Sequence, residues 1–154
     1  MAYESKLYVV KKYQRFNSKG EINEPLMQEG KVAAQIVAEY EMSNFPPIRN
    51  FFHPGDGSRN TDCYIYAKDG NTPLFDDCYG DPLKEANLAE VIACLENLTD
   101  MDKSYRRVPP LIGMLRGFHE TEGEWDEDSD GLAVLHYGHE TESGGNDYDN
   151  PKSI

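Results

Sequence analysis

The stretch LAVLHYG, residues 132–138, is apolar at successive positions, so both faces of an extended chain would be apolar here. A strand that is covered on both sides has such a continuous run, whereas a strand with one face in water alternates apolar with polar residues. The stretch therefore predicts a central strand, and we expect the other elements to assemble around it.

Three further segments have the character of strands. Residues 5–13 centre on LYVV and predict a first strand with one buried face. Residues 31–42 fit a helical stripe as well as strict alternation, and the lack of a good N-cap together with a glycine just upstream favours a strand. Residues 62–68 and 72–78 predict a hairpin, since an Asp-Gly-Asn turn lies between them.

Two helices are predicted in the second half of the chain. Asn87 is followed three residues later by Glu90, which is the capping-box pattern at a helix start. Apolar residues then recur at helical spacing, namely Leu88, Val91, Ile92, Leu95 and Leu98. A second helix is expected to begin near Pro109-Pro110, because proline suits the first helical turn. Its buried side would be Leu111, Ile112, Met114, Leu115 and Phe118.

These elements together predict an α+β fold. We expect a mixed, mostly antiparallel sheet of four to five strands with two helices packed on one face. The length of 154 residues fits one domain, which we place at residues 1–140, followed by an acidic, Gly/Asn-rich tail at 141–154. The prolines and glycines between residues 43 and 61 predict a long loop.

The negative charge of the chain is concentrated at one end. Residues 120–154 contain eleven acidic and one basic side chain, whereas residues 1–119 contain 17 acidic and 14 basic ones. A field of this sign repels nucleic acid and anionic membranes and attracts cationic surfaces. We therefore expect no direct binding to nucleic acid or membrane. The lack of a secretory signal and of framework spacing among the three cysteines predicts a cytoplasmic protein with reduced thiols.

Seven carboxylates lie within residues 120–130, which we call the acidic segment. They are Glu120, Glu122, Glu124, Asp126, Glu127, Asp128 and Asp130. The segment lies between a predicted helix and a predicted strand, which should fix both of its ends. Carboxylates spaced along a fixed surface can replace phosphates against Lys and Arg. We therefore predict that these seven residues bind a partner protein.

Part of the acidic segment resembles a calcium-binding loop. Asp126, Asp128 and Asp130, followed by Gly131, match the first half of an EF-hand loop. The twelfth position should be a bidentate glutamate but is Tyr137, and the segment after the loop has the character of a strand. A solvated acidic loop is therefore the preferred interpretation. We expect no cofactor, with calcium at these three aspartates as the weaker alternative.

Histidines and cysteines give little support to a zinc site or to catalysis. His136 and His139 are three apart on a strand and point to opposite faces, and His119 is distant in sequence. The three cysteines lack C-x-x-C spacing, so packed thiols and partly buried histidines are preferred. No Walker loop, G-x-S-x-G or H-E-x-x-H pattern is present, and no catalytic residue is predicted.

Two motifs resemble those of small accessory proteins of bacterial phages and conjugative elements. They are YGDPLKEA at residues 79–86 and YRRVPPL at residues 105–111, with an amphipathic helix between them. Small acidic proteins of such elements include anti-restriction and anti-CRISPR inhibitors, several of which imitate phosphate charge at a nucleic-acid site. The resemblance implies a non-enzymatic inhibitor in the bacterial host cell. Its partner would be a protein with a basic nucleic-acid-binding groove, such as a CRISPR effector or restriction nuclease.

Two alternatives stay open at this point. The first is a calcium-dependent or general protein-interaction module. The second is a small enzyme whose catalytic residues come together only in three dimensions, because a triad cannot be recognised from spacing alone.

Overall fold

The computed structural model describes a subset of the chain, namely residues 4–13, 19–21, 27–28, 31–32, 34–55, 61–63, 65, 74–77, 79–126 and 129–139. The elements in chain order are β1 (Glu4–Lys12), β2 (Met27–Gln28), β3 (Lys31–Val32), β4 (Ala34–Glu41), α1 (Pro46–Phe52), β5 (Lys84–Ala86), α2 (Leu88–Glu96), α3 (Asp100–Lys103), α4 (Val108–Glu122) and β6 (Gly131–His139). The main sheet has the strand order β4-β1-β6-β5 and is antiparallel throughout. The predicted α+β class is confirmed.

Strand β6 is the central strand that its apolar run predicts. All nine of its residues pair with β1, and its other edge pairs with β5. Leu132 and Val134 belong to the core cluster on the helix-covered face of the sheet. Ala133 and Leu135 belong to a second cluster on the opposite face. The strand is therefore buried on both faces, which explains why it shows no polar alternation.

The strand interpretation of residues 31–42 is also confirmed, since β3 and β4 lie within that range. Ala38 and Tyr40 pack against the helix-side core, while Gln35 and Glu39 are exposed. A strand at the edge of a sheet with one covered face alternates in this way. The register with β1 shifts between Val9 and Val10, which indicates a β-bulge in the pairing.

The two predicted helices, α2 and α4, pack against the same face of the sheet. The backbone N–H of Asn87 donates to Glu90 Oε1 at 3.3 Å, so the predicted capping box forms. Buried residues from both helices contact the sheet, and they are Leu88, Val91, Ile92, Leu95, Val108, Leu111 and Leu115. Prolines lie in the first turn of α4, as expected from the Pro109-Pro110 pair.

A third helix lies within the predicted loop at residues 43–61. Helix α1 begins at Pro46, and its buried residues Ile48 and Phe52 join the helix-side core. The two prolines that suggested a loop are at the start of the helix, where proline has no N–H to lose and already has a helical φ angle. The loop prediction was therefore wrong for residues 46–52.

The predicted hairpin at residues 62–68 and 72–78 lies largely outside the described residues. Its described residues form isolated bridges, Asp62 with Lys84 and Asp76 with Pro82, and no continuous strand. The two arms approach each other where the Leu74 N–H donates to the Ile65 carbonyl at 3.0 Å, and the predicted turn lies outside the described residues. Buried residues from this segment cover the second face of the sheet, namely Cys63, Ile65 and Phe75. The fourth strand of the sheet is instead β5.

The described helices are not of the kind that crosses a membrane. None of them combines sufficient length with sufficient apolar character to span a bilayer.

Candidate functional site

The first half of the acidic segment is hydrogen-bonded to the central strand. Helix α4 ends at Glu122, and Gly123 has a φ of +74°, a value that favours glycine and turns the chain away from the helix axis. The Leu132 N–H donates to the Gly123 carbonyl at 3.1 Å, and the Trp125 N–H donates to the Leu132 carbonyl at 3.1 Å. The segment is thus joined to Leu132 at Gly123 and at Trp125, and it lies between a helix and a strand, as the sequence led us to expect.

The centre of the acidic segment is a tight turn. Asp126 and Ser129 exchange backbone hydrogen bonds, each with an N to O distance of 3.3 Å. Where the chain enters β6, a Cβ added to Gly131 would lie 2.3 Å from the backbone carbonyl of Glu124. Two backbone stretches therefore approach so closely that only glycine fits between them.

Trp125 anchors the acidic segment against buried residues. It is the only tryptophan in the sequence. The Lys12 ammonium lies 3.8 Å from the centre of the Trp125 ring and 2.8 and 2.9 Å from the two carboxylate oxygens of Glu85. Lys12 is only 5% exposed, so its charge has to be compensated within the fold. The Glu85 carboxylate and the face of the indole ring provide this compensation. A lone tryptophan among carboxylates was the sequence signal for this anchor, and sequence analysis missed it.

Glu124 is turned inward and is engaged by the fold. Its carboxylate accepts hydrogen bonds from the backbone N–H groups of Leu88 at 3.0 Å and Ala89 at 2.6 Å. These groups begin α2, where the N–H groups lack helical acceptors and the helix dipole favours a negative charge. His119 Nε2 also lies 3.4 Å from Glu124 Oε1. Glu124 therefore joins α2, α4 and the acidic segment.

The other carboxylates of the acidic segment remain at the surface, as far as the structure describes them. Glu122 pairs with Lys11 at 3.3 Å, and both side chains are partly exposed, so this ion pair contributes little to stability. Glu120, Asp126 and Asp130 are exposed. The other two predicted residues, Glu127 and Asp128, lie outside the described residues.

The residues that suggested metal sites are distributed over several elements. Asp126 and Asp130 flank the turn, and Tyr137 lies in β6, which confirms that a strand follows the loop. His119 is exposed on α4, whereas His136 is buried in β6. Within the described ranges, no three His, Cys, Asp or Glu side chains gather in an arrangement that could hold a metal ion.

A chain of three polar side chains on the helix side of the sheet joins two buried residues, Ser5 and His136, to His53, which is exposed. Ser5 Oγ lies 2.9 Å from His136 Nε2, and His136 Nδ1 lies 3.1 Å from His53 Nε2. We call these three residues the histidine chain. His136 is 1% exposed, and its ring stacks on Phe52 with centroids 5.0 Å apart.

The histidine chain is uncharged at neutral pH. Burial, together with the neighbouring His53, lowers the pKa of His136 to about 3. Partial burial and then the charge of Lys84 lower the pKa of His53 as well. A serine beside a histidine can be a nucleophile, but Ser5 is 1% exposed, so a substrate does not reach it in this conformation. We therefore assign the histidine chain a structural role.

Two cysteines are described, and each packs within the fold as a thiol outside any disulfide. Burial, followed by the negative charge of Glu85, raises the pKa of the Cys63 thiol, so it stays protonated. Cys94 is half-buried, with its sulfur 4.0 Å from the Pro47 carbonyl. These positions agree with the expected packed thiols, and Cys78 lies outside the described residues.

The basic motif at residues 105–111 holds the start of α4 against β4. Arg107 Nη1 donates to the Glu41 carbonyl at 2.8 Å, and the Tyr40 hydroxyl donates to the Arg107 carbonyl at 2.6 Å. The Tyr105 hydroxyl donates to the Met42 carbonyl at 3.2 Å. The described contacts of this motif are thus made within the fold.

Comparison with known proteins finds no matching family model, no matching curated protein and no matching solved structure. The resemblance to accessory proteins of mobile elements therefore stays a prediction, and the function is argued from the site alone.

Proposed function

We propose that the protein is a non-enzymatic inhibitor whose acidic segment occupies the basic nucleic-acid-binding groove of a host defence protein. A CRISPR effector or a restriction nuclease is the class of partner that fits. The observation that carries the proposal is a set of exposed carboxylates on a segment that is joined to the central strand by backbone hydrogen bonds between Gly123, Trp125 and Leu132. The exposed residues are Glu120, Glu122, Asp126 and Asp130.

The fixed backbone matters because binding costs conformational entropy. A mobile acidic tail would lose that freedom on contact with a partner, whereas a bonded turn has lost much of it during folding. The carboxylates of a bonded turn also keep their relative positions, so they can match the spacing of Lys and Arg side chains that normally contact phosphates.

Net charge supports the same proposal through the rate of association. The sequence has a formal net charge of −13, and eleven of its 28 acidic residues lie at positions 120–154. A field of this sign attracts a basic groove over distances comparable with the Debye length and raises the association rate. The same field repels free nucleic acid, so the inhibitor would act on the protein and not on its substrate.

The seven predicted binding residues contribute unequally under this proposal. Glu124 is committed to the start of α2, and its removal would act through the fold. Glu122 keeps most of its charge available, because an exposed pair with Lys11 is readily exchanged for another cation. Glu120, Asp126 and Asp130 are exposed, so they lie where a partner surface would approach.

Capture from a bacterial lysate tests the proposal. The protein is immobilised and incubated with lysate at low salt, and the bound proteins are then challenged with DNA, with RNA and with high salt. We expect a captured protein that nucleic acid displaces, because both ligands would occupy one groove. A captured protein that resists nucleic acid would instead indicate a general interaction module, and dependence on calcium would indicate the calcium-binding alternative.

A further inference from the structure

A groove of about 280 Å³ lies between α2 and α4. Residues at helical spacing form its two walls: Ala89, Ile92, Ala93 and Glu96 from α2, and Arg116, His119 and Glu120 from α4. Sites for drug-sized ligands usually measure roughly 300–1,000 Å³, and this groove is slightly smaller than that range. It is therefore large enough for a single amino-acid side chain of a partner.

The groove combines an apolar base with charged edges. Ala89, Ile92 and Ala93 provide the apolar surface, and Glu96 and Glu120 provide a carboxylate from each wall. The guanidinium of Arg116 forms an ion pair with Glu96. Glu96 is therefore already engaged by the protein's own arginine, and Glu120 provides the carboxylate of the opposite wall.

The groove is continuous with the acidic segment. Glu120 is the first carboxylate of that segment and also lines the groove. His119 lines the groove and contacts Glu124, whose carboxylate binds the backbone N–H of Ala89 at the groove's other wall. A basic surface that lies on the acidic segment would therefore also lie over the groove.

We propose that this groove is the anchor site for one arginine side chain of the partner's basic surface, an inference that rests on the proposed function. The methylene stem of the arginine packs on Ala89 and Ala93, and its guanidinium pairs with Glu120 at the α4 wall, since Glu96 is already paired with Arg116. Lysine fits less well, because an ammonium group lacks the planar fork that pairs with carboxylates and its hydration is stronger. Buried arginine anchors of this kind often dominate the affinity of an interface.

Binding of two labelled peptides, nona-arginine and nona-lysine, to the complete chain tests the inference by fluorescence anisotropy. We expect wild-type protein to bind nona-arginine more tightly than nona-lysine. Ala93→Leu, which fills the groove, should weaken nona-arginine binding about fivefold or more and change nona-lysine binding less than about twofold. Glu120→Gln should also weaken nona-arginine binding, and it cannot disturb the core because Glu120 is exposed.

Asp76→Asn is the matched control, since it removes one exposed carboxylate away from the groove. It should change the affinity for nona-arginine less than Glu120→Gln does. Equal binding of both peptides, unchanged in Ala93→Leu, would overturn the arginine anchor and leave the proposed function standing. A wild-type protein that binds neither peptide would contradict the proposed function itself.

Discussion

The acidic segment and the histidine chain both contact β6, but the polar groups of the first are mostly exposed, whereas the central imidazole of the second is buried. At the first residue of the strand, Gly131, the backbone of the acidic segment is packed closely while most of its described carboxylates stay in water. Near the other end of the strand, the imidazole of His136 is buried and uncharged. Charge that stays in water is available to a partner, whereas a buried polar group has to be satisfied within the fold.

Gly131→Ala is expected to give the largest effect, because it separates the acidic segment from β6. The new Cβ would lie 2.3 Å from backbone atoms of Glu124, so one of the two stretches must move. We expect a loss of about 3 kcal/mol or more in the free energy of unfolding, measured by chemical denaturation.

Gly113→Ala is the control for that substitution. Gly113 lies in α4, and nothing lies within 4 Å of an added Cβ. Alanine should stabilise the protein there by about 0.5–1 kcal/mol through helix propensity. A Gly131→Ala variant as stable as the Gly113→Ala variant would show that the close approach at β6 is absent.

Acid should destabilise the protein through the buried histidine. The pKa of His136 falls from 6.5 to about 3 on folding. Between these pH values the imidazole is protonated in the unfolded chain and neutral in the folded chain. The contribution of neutral His136 to the free energy of unfolding is fully present above pH 6.5. It is lost as the pH falls, with a slope of up to about 1.4 kcal/mol per pH unit. The free energy of unfolding, measured at several pH values, should therefore fall less steeply in His136→Leu than in wild type.

The difference between the two curves isolates His136, because every other titratable group is common to both proteins. Parallel curves for wild type and His136→Leu would mean that His136 is not held neutral in the folded protein.

Glu124→Gln should give a moderate loss of stability, larger than the loss from the same change at an exposed carboxylate of the acidic segment. The variant loses the negative charge at the first N–H groups of α2, and we expect a loss of about 1 kcal/mol. Glu120→Gln should stay within about 0.5 kcal/mol of wild type, because Glu120 is exposed. Equal losses in thermal melts of the two variants would contradict the different positions of these carboxylates.

The elements that sequence analysis predicted correctly are those with local signals. The apolar run of β6 and the Asn87–Glu90 capping box depend on neighbouring residues, and both are present in the structure. Helix α1 was missed because Pro46-Pro47 is equally typical of a loop and of a helix start.

Contacts between distant residues could not be predicted from one sequence. Ser5 and His136 are 131 positions apart, and Lys12 looks like a surface residue until its position opposite Glu85 is known. The acidic segment was recognised by composition, but composition does not distinguish Glu124, which binds a helix start, from exposed Glu120.

The central claim is that binding to the partner depends on carboxylates that lie in the acidic segment, and not on the total charge of the protein alone. Two variants with equal net charge test it, each with four carboxylates changed to the corresponding amides. One variant changes Glu120, Asp126, Glu127 and Asp130, and the other changes Glu21, Asp76, Asp81 and Asp100. The partner is the protein captured from lysate and displaced by nucleic acid.

The decisive measurement is the association rate of each variant with that partner, followed from low to physiological salt. The account predicts that the acidic-segment variant associates at least about tenfold more slowly than wild type at low salt. The control variant should retain most of the wild-type rate despite the same loss of charge. Equal rates for the two variants would contradict the claim that the acidic segment is the binding surface.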